Sequence, residues 1–313
     1  AAVAPWVAPF APERQLDPVA GRLLPPGSER VLVELPYRDR LAERLIVAPD
    51  PRAASGPESI QYLRLGRVET APAAGTSTET RRFLLGTDRF GRDVLSRVLW
   101  GARVALASGG LALRFAAGLG STVGAIAALG PRALDVVLMR LVDGLLSFPW
   151  FFLLIALVAV LPPSPTMLIA ILGGTGWMSI ARLARGEIAT LRDREFVLVA
   201  RGLGVPEPTL FVRHVLPNVA TPLLVAISLR MGSMILIEAP LPFLGPGTHP
   251  PPPSWGNMIA DGRTDLGAAW WPVVFPALAL SATVLAIHLV GDGLRDALAP
   301  RLRAAPSNPD PTP

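Results

Sequence analysis

The chain has 313 residues, of which 51% are hydrophobic, with a mean hydropathy of +0.45 and a formal net charge of +5 at pH 7. It contains no cysteine, which excludes disulfides, thiol catalysis and cysteine metal sites. It also contains no lysine, so all 29 basic residues are arginine and the lysine of a G-x-x-x-x-G-K-[ST] phosphate loop is missing. We therefore do not expect the chain to hydrolyse ATP by that route. Its arginines flank apolar runs, which favours orientation in a membrane over binding of nucleic acid.

The first hundred residues are mostly polar. Residues 1–12 form an apolar stub that is too short to cross a bilayer, since a spanning helix takes about 20 apolar residues. We interpret the stub as the outer end of a first transmembrane helix, because a remnant of a signal peptide would need a charged region before it. Residues 13–103 are predicted to form a small irregular or β lobe with an entry segment, with short strands at 31–35 and 59–65 where the side chains alternate.

Long apolar runs with few charges begin at about residue 104, which is the pattern of membrane spans. Five complete spans are predicted, at about 104–129, 134–161, 163–181, 219–244 and 266–291. Together with the truncated first helix they define an all-α, polytopic helix bundle with its membrane core at 104–291. Arginines concentrate in the segment 182–217 and in the tail at 292–313, so the positive-inside rule puts both in the cytoplasm. The arginine-rich lobe then lies outside the cell, which is compatible because loops longer than about 60 residues largely escape the rule.

The segment 182–217 carries the most informative pattern of the chain. It closely resembles the cytoplasmic coupling loop of binding-protein-dependent ABC importer permeases, in which Glu-Ala-Ala is followed after three residues by Gly and nine residues later by an Ile/His-x-Leu-Pro ending. The matching positions hold Ala200, Gly204, His214, Leu216 and Pro217. The resemblance implies contact with an ATPase subunit through Glu195, Ala200, Arg201, Gly204, Val205, Pro206, His214, Leu216 and Pro217. Leu198 and Val199 replace the Glu-Ala of the family, and Glu195, one turn earlier, is the candidate substitute.

The residues of this loop also have a physical logic of their own. Gly202 and Gly204 permit a left-handed turn that ends a helix continuing from the third span. Pro206 or Pro208 suits the first turn of a new short helix, and Pro217 is expected to break the chain before the next span. A short helix with rigid ends would then project from the membrane, and the alternative is an ordinary amphipathic cytoplasmic loop.

Three further motifs narrow the resemblance. The stretch 85–103 strongly resembles the Leu-Gly-Thr-Asp-x-x-Gly-Arg-Asp signature of the dipeptide, oligopeptide and nickel permease subfamily, and 243–258 and 291–301 resemble its C-type subunit. The signature residues are Gly86, Thr87, Asp88, Gly91, Arg92 and Asp93. We expect Asp88, Arg92 and Asp93 to form an extracytoplasmic ion-pair cap, with solute binding as the alternative. The resemblance covers residues 85–303.

The resemblance implies a type I ABC importer permease in the cytoplasmic (inner) membrane that moves di- or oligopeptides. Its partners would be a second homologous permease subunit, two ATPase subunits or a fused pair, an extracytoplasmic solute-binding protein and the lipid bilayer, without nucleic acid. The chain itself would bind no cofactor, since ATP and Mg would be held by the partner ATPases. The alternatives are import of nickel or another small solute on the same scaffold and an ion-coupled secondary transporter. An intramembrane enzyme lacks a nucleophile motif here, so we predict no catalytic residue.

Two arginines stand inside predicted spans. Arg114 and Arg230 are too far from the span ends to snorkel, and a charge near the bilayer centre costs at least about 2.5–3.5 kcal/mol. Either they line the solute path and meet a peptide carboxylate, or they pair within the helix bundle or with the partner permease, with Glu238 as one candidate. The three histidines are too dispersed to form a metal site.

Overall fold

The computed structural model of the chain describes residues 4–17, 19–34, 44–46, 59–64, 67–72, 77–149, 152, 156–157, 160, 164–240 and 253–298. Most of the predicted motif at 243–258, the second half of the predicted second span and the tail beyond residue 298 lie outside these residues. The chain divides into two compact units, 1–107 with 238–282 and 108–237 with 283–313.

The first unit contains a five-stranded antiparallel sheet. Its strands are β1 (Ser28–Glu34), β2 (Arg44–Ile46), β3 (Ser59–Arg64), β4 (Arg67–Pro72) and β5 (Ser77–Phe83), in the order β4-β3-β2-β1-β5. The two strands predicted from alternation are therefore confirmed as β1 and β3. The alternation places Leu32 and Phe83 in a small apolar core with Phe10, Leu16 and Leu24. Phe10 stacks on Phe83 with ring centroids 5.9 Å apart, which ties the N-terminal segment to the sheet.

The described part of the chain contains five long helices and four short ones. They are α1 (Ala4–Val7), α2 (Val94–Leu129), α3 (Arg132–Ser147), α4 (Pro165–Arg192), α5 (Glu195–Gly202), α6 (Glu207–Leu210), α7 (Leu216–Glu238), α8 (Trp255–Gly262) and α9 (Trp271–Leu298). A π-helical turn, Phe211–Val215, joins α6 to α7. Within the described parts of the chain, three helices are long and apolar enough to cross a membrane, Val94–Leu129, Glu207–Glu238 and Trp271–Ala297.

Small residues let the helices of the second unit approach closely. A Cβ atom at Gly124 of α2 would lie 2.5 Å from the Ala181 carbonyl oxygen of α4, and one at Gly109 would lie 3.0 Å from the Ile235 side chain of α7. The core between these helices consists of Ala112, Ala116, Leu172, Ile180 and Met234. The close approach of α4 and α7 to α2 therefore depends on glycine residues of α2, while larger side chains of α4 and α7 fill the core.

The helices that contain four of the predicted spans have different bounds from the spans themselves. The helix predicted from residue 104 begins at Val94, because the Asp93 carboxylate accepts the backbone N–H of Ser96 at 2.7 Å and caps it. The span predicted over 134–161 is interrupted, because Pro149 excludes the helical conformation at Phe148, which has φ −74° and ψ 129°.

The helices of the third and fifth predicted spans extend beyond those spans. α4 begins at Pro165, where the Ser164 hydroxyl accepts the Met167 N–H at 3.1 Å, and it continues past residue 181 to Arg192, which confirms the predicted continuation of the third helix into the coupling segment. The helix predicted from residue 266 begins at Trp271, because a 3₁₀ turn (Arg263–Asp265) precedes it, and it extends to Leu298 in the predicted tail.

Candidate functional site

The predicted coupling segment forms a helix–turn–helix unit whose turn is centred on Gly204. α5 ends at Gly202, and Gly204 follows with φ +78°, the left-handed conformation that glycine adopts without strain. The N–H of Val205 donates to the Ala200 carbonyl at 3.2 Å, and the N–H of Gly204 donates to the Arg201 carbonyl at 3.0 Å. These two bonds define a Schellman motif, which satisfies the last carbonyl groups of the helix. Four of the predicted coupling residues, Ala200, Arg201, Gly204 and Val205, thus belong to this one motif.

An apolar cluster fixes this unit to the ends of α2 and α4. Its buried members are Ala128, Ile188, Val197, Leu210, Val215 and Val219, and Ala200, Val205 and Phe211 pack against them. The Arg192 guanidinium donates to the Ala128 carbonyl. Because α5, α6 and the π turn all contribute to one core, force applied to the turn would be transmitted to α4 and α7.

An ion pair connects the two helices on either side of the turn. Arg201 Nε lies 2.6 Å from Glu207 Oε1, and Arg201 Nη2 lies 3.3 Å from Glu207 Oε2. The bidentate geometry joins the end of α5 to the start of α6. Sequence reasoning selected Arg201 and missed Glu207, whose signal was a carboxylate directly after Pro206 in the first turn of a helix.

Two predicted roles in this segment are wrong. Gly202 is the last residue of α5, and the positive-φ glycines of the described chain are Gly27, Gly86, Gly91 and Gly204. Pro217 does not break the chain, since it is the second residue of α7 and the helical path continues from Glu207 to Glu238. Proline lacks an N–H and its ring crowds the preceding turn, and the wider π turn at Phe211–Val215 accommodates it. Pro206 is the N-cap of α6 and Pro208 lies in its first turn, as predicted.

The outer surface of the coupling segment carries a group of exposed apolar side chains beside exposed charged residues such as Glu195 and Arg213. Leu203 is 80% exposed and Val199 and Val212 are each 61% exposed, with Phe196 and Leu198 about half exposed. Leu198 and Val199 are the residues that replace Glu-Ala of the family pattern. Glu195 is exposed in the first turn of α5, His214 is half-buried and Leu216 is 43% exposed. An apolar surface of this kind outside the spanning helices is suited to a protein partner.

The signature residues form a closed hydrogen-bonded unit at the start of α2. Asp88 Oδ1 accepts the N–H groups of Phe90 and Arg92, both at 2.9 Å, and Asp88 Oδ2 accepts Arg92 Nε at 2.6 Å. Thr87 Oγ1 donates to the Gly21 carbonyl at 2.5 Å and accepts the Leu24 N–H at 2.8 Å. Gly86 and Gly91 supply positive φ angles of +76° and +71°. The predicted ion pair of Asp88 with Arg92 is present and buried, but Asp93 forms no ion pair with a described residue and instead accepts the Ser96 N–H at the start of α2.

Two charged residues that the sequence did not single out complete this cluster. Arg92 Nη2 lies 3.1 Å from Asp261 Oδ2 of α8, and Arg97 Nε lies 3.6 Å from Asp88 Oδ2. Arg97 is buried, with a side chain only 2% exposed. Burial raises the pKa of the Asp93 carboxyl above its ordinary range, although the hydrogen bonds from Ser96 lower it. The pairing of Arg92 with Asp261 spans 169 residues, so no local pattern could have indicated it.

The three predicted pathway residues lie in different surroundings. Arg114 is exposed on α2, Arg230 is half-buried on α7, and Glu238 is 7% exposed at the end of α7. Neither arginine forms an ion pair with a residue that the structure describes. Arg230 lies between Ile227 and Met234 on the α7 face that packs against the core of the second unit.

No group of three or more potential metal ligands occurs among the residues that the structure describes.

Solved structures show the fold class. An amino acid ABC transporter crystallised with histidines matches with a TM-score of 0.55 and 13% identity, over 65% of this chain and 94% of that chain. The MetNI methionine ABC transporter in an inward-facing conformation matches with a TM-score of 0.53 and 17% identity, over 66% of this chain and 96% of that chain. The fold is therefore that of chains found in ABC transporters.

Sequence comparison gives the family. Residues 120–304 match the family described as "Binding-protein-dependent transport system inner membrane component". A Brucella suis protein whose name assigns it to a peptide transport system permease is 43% identical over 220 residues, 70% of this chain and 74% of that protein. The dipeptide transport system permease protein DppC of Alkalihalophilus pseudofirmus is 36% identical over 75% of this chain and 78% of its own length. The glutathione transport system permease protein GsiD of Pectobacterium atrosepticum is 38% identical over 70% of this chain and 73% of its own length. The chain belongs to this family of ABC transporter permeases.

Proposed function

We propose that this permease subunit imports di- or oligopeptides and that a separate ATPase drives it through the Gly204 turn. The observation that carries the proposal is the rigid turn with an apolar outer surface, packed on the ends of α2 and α4. The names of the relatives support a peptide as solute, since they refer to peptides, a dipeptide and glutathione.

The mechanism assigned to the chain is mechanical. ATP and Mg are held by two partner ATPase subunits or a fused pair, which close when ATP binds. The closing motion displaces α5 and α6, and their shared core with α4 and α7 passes the displacement to the membrane helices. This chain and a second homologous permease subunit form the path, and an extracytoplasmic binding protein delivers the solute. In this proposal the chain binds no cofactor and performs no catalysis.

The orientation follows the distribution of arginines. The coupling segment and the C-terminus are cytoplasmic, and the sheet of the first unit lies outside the membrane on the opposite side. The chain crosses the inner membrane several times. In this orientation Arg114 and Arg230 lie at membrane depth and contact either the solute or the second permease subunit, since lipid would leave them unsolvated.

Co-purification from membranes tests the partner assignment. Leu203→Glu places a charge at the centre of the apolar surface, and because Leu203 is 80% exposed the variant is expected to fold. We expect the wild-type chain to recover an ATPase subunit and a second permease, and Leu203→Glu to lose the ATPase while retaining the permease. Val68→Glu is the matched control, since Val68 is 63% exposed on β4 of the lobe. Equal recovery of the ATPase by both variants would contradict the proposed contact.

A further inference from the structure

A groove between α3 and α4, with a mainly apolar lining that includes two charged side chains, is separate from the coupling surface and from the signature cluster. Its volume is about 390 Å³, and its lining consists of Leu146 of α3 with Ser179, Arg182, Leu183, Gly186 and Glu187 of α4. The five α4 residues follow the spacing of a single helix face. The volume lies within the range of about 300–1,000 Å³ that is usual for small-molecule sites.

The middle of the groove is lined by small residues of α4, and a charged residue lies at each of its two edges. Ser179 and Gly186 lie along the middle of the face, and a Cβ atom at Gly186 would meet no atom within 4 Å. Arg182 and Glu187 lie on the two edges of the same face, since successive residues are about 100° apart around a helix. The groove therefore presents one positive and one negative side chain across an open floor.

Each of the two charged groups retains bonding capacity. Arg182 Nη2 donates to Asp143 Oδ1 at 2.5 Å, and the remaining N–H groups of its guanidinium face no other acceptor among the described residues. Glu187 forms no ion pair or hydrogen bond with any residue in the described part of the chain. A ligand with one carboxylate and one ammonium group would satisfy both side chains.

The depth of the groove indicates that it faces an aqueous route. The third predicted span ends at about residue 181 of α4, so Ser179 lies near the inner end of that span and Arg182 and Glu187 lie at its cytoplasmic boundary. The side chains of Arg182 and Asp143 are 56% and 53% exposed in the isolated chain, and lipid acyl chains would be a costly environment for that pair.

We infer that this groove is the cytoplasmic section of the solute route and binds a peptide with free termini, its carboxylate at Arg182 and its ammonium group at Glu187. The inference rests on the proposed peptide import and assigns residues for the solute on its way to the cytoplasm. An ethanolamine phospholipid carries the same two charges, and the labelling experiment below distinguishes this lipid from a peptide.

Thiol labelling tests the inference, because the chain has no native cysteine. Ser179→Cys is assembled with its partner subunits in inside-out vesicles and treated with a charged, membrane-impermeant thiol reagent. The matched control is Ser281→Cys, which is exposed on the apolar helix α9. We expect Ser179→Cys to react and Ser281→Cys to remain unmodified. A dipeptide added directly to the exposed cytoplasmic face should slow the reaction at Ser179→Cys without involving the binding protein.

Blocked peptides identify the charged contacts. N-acetylation of the dipeptide should weaken protection roughly tenfold, equivalent to about 1.4 kcal/mol. When Glu187→Gln is added to Ser179→Cys, the free and the N-acetylated dipeptide should protect the cysteine equally. When Arg182→Gln is added instead, the free and the C-amidated dipeptide should protect it equally.

Several outcomes would overturn the inference. They are failure of Ser179→Cys to react, a reaction rate that dipeptides do not change, and a rate that depends on the ethanolamine phospholipid content of the vesicles instead of on the peptide. ATP-driven dipeptide uptake is measured on the same preparations. Uptake without protection refutes the groove assignment alone, whereas absence of uptake in the unsubstituted complex refutes the proposed peptide import.

Discussion

Gly204 is the residue at which backbone conformation matters most for the proposed coupling. Alanine at φ +78° costs about 1–2 kcal/mol, although its Cβ would meet no atom within 4 Å. We therefore expect Gly204→Ala to distort the turn and to reduce ATP-driven uptake. Gly202→Ala is the control, since Gly202 is helical and equally open and alanine favours a helix by up to about 1 kcal/mol. Equal uptake by the two variants, measured at equal protein levels, would refute the role of the turn.

The carboxylate of Asp88 compensates the positive charges of the buried arginines in the signature cluster. Asp88→Asn keeps the acceptor for the backbone N–H groups but leaves Arg92 and Arg97 without its negative charge. Removing one partner of a buried ion pair costs about 3–5 kcal/mol, so we expect a clear fall in the thermal unfolding temperature. Glu79→Gln removes the exposed partner of Arg81 and should change stability by less than about 0.5 kcal/mol. Similar unfolding temperatures for both variants would contradict a structural role of the cluster.

At the residue scale, local chemistry was predictable and distant pairing was not. The need for a left-handed turn at Gly204 and the helix start near Pro206 follow from properties of glycine and proline alone. Pro217 was misjudged because its effect depends on the π turn before it. The pairing of Arg92 with Asp261 depends on the tertiary fold, to which a local motif gives no access.

At the scale of elements, the exposed ion pair of Arg201 and Glu207 joins the end of α5 to the start of α6. Glu207→Arg opposes two positive charges across the turn, and we expect it to lower the uptake obtained per ATP hydrolysed. The double reversal, Arg201→Glu with Glu207→Arg, should restore much of this ratio because the pair is re-formed with opposite polarity. Failure of the double reversal to exceed the single variant would assign the two residues to separate contacts with partners.

The packing of α2 against α4 gives a second test at this scale. Gly124→Ala would bring a methyl group within 2.5 Å of the Ala181 carbonyl oxygen and 2.8 Å of the Ala184 Cβ, so the helices must separate. Overpacking of this kind costs about 1–3 kcal/mol, and we expect a lower unfolding temperature. Gly118→Ala on the same helix is the control, because its Cβ would meet no atom within 4 Å. A destabilisation of the same size in both variants would indicate helix propensity and not close packing.

Helices and strands were predictable from the sequence where the hydrophobic period was strong. The residues at which they begin and end were not predictable. β1 and β3 have alternating apolar residues, whereas β5 consists of Ser, Thr, Glu and Arg up to its last residue, Phe83, and the apolar residues of β4 are Val68, Ala71 and Pro72. Their pairing with β3 and β1 supplies the order that their own sequences do not indicate. α2 begins ten residues before the predicted span because the helix includes Arg97, which interrupts the apolar run and lies beside Asp88 in the fold.

At the scale of the whole molecule, the proposed mechanism gives this chain two roles: its membrane helices form part of the solute path, and its coupling segment receives the motion of the ATPases. Transport then requires the two ATPases, the second permease subunit and the binding protein, and no reaction takes place on the chain itself. The coupling and signature motifs indicate this class of protein from the sequence alone, because each motif has a definite spacing. The residues that contact the solute are harder to identify, since they depend on which helix faces point inward.

The central claim is that ATP hydrolysis elsewhere drives peptide import through the Gly204 turn. The most direct measurement is uptake of a labelled dipeptide by proteoliposomes that contain the complete complex, with ATP supplied to the ATPase side and the binding protein to the other. We predict uptake against a concentration gradient that requires ATP and the binding protein, and that Leu203→Glu abolishes while Val68→Glu preserves it. Uptake that proceeds without ATP, or that Leu203→Glu leaves intact, would contradict this claim.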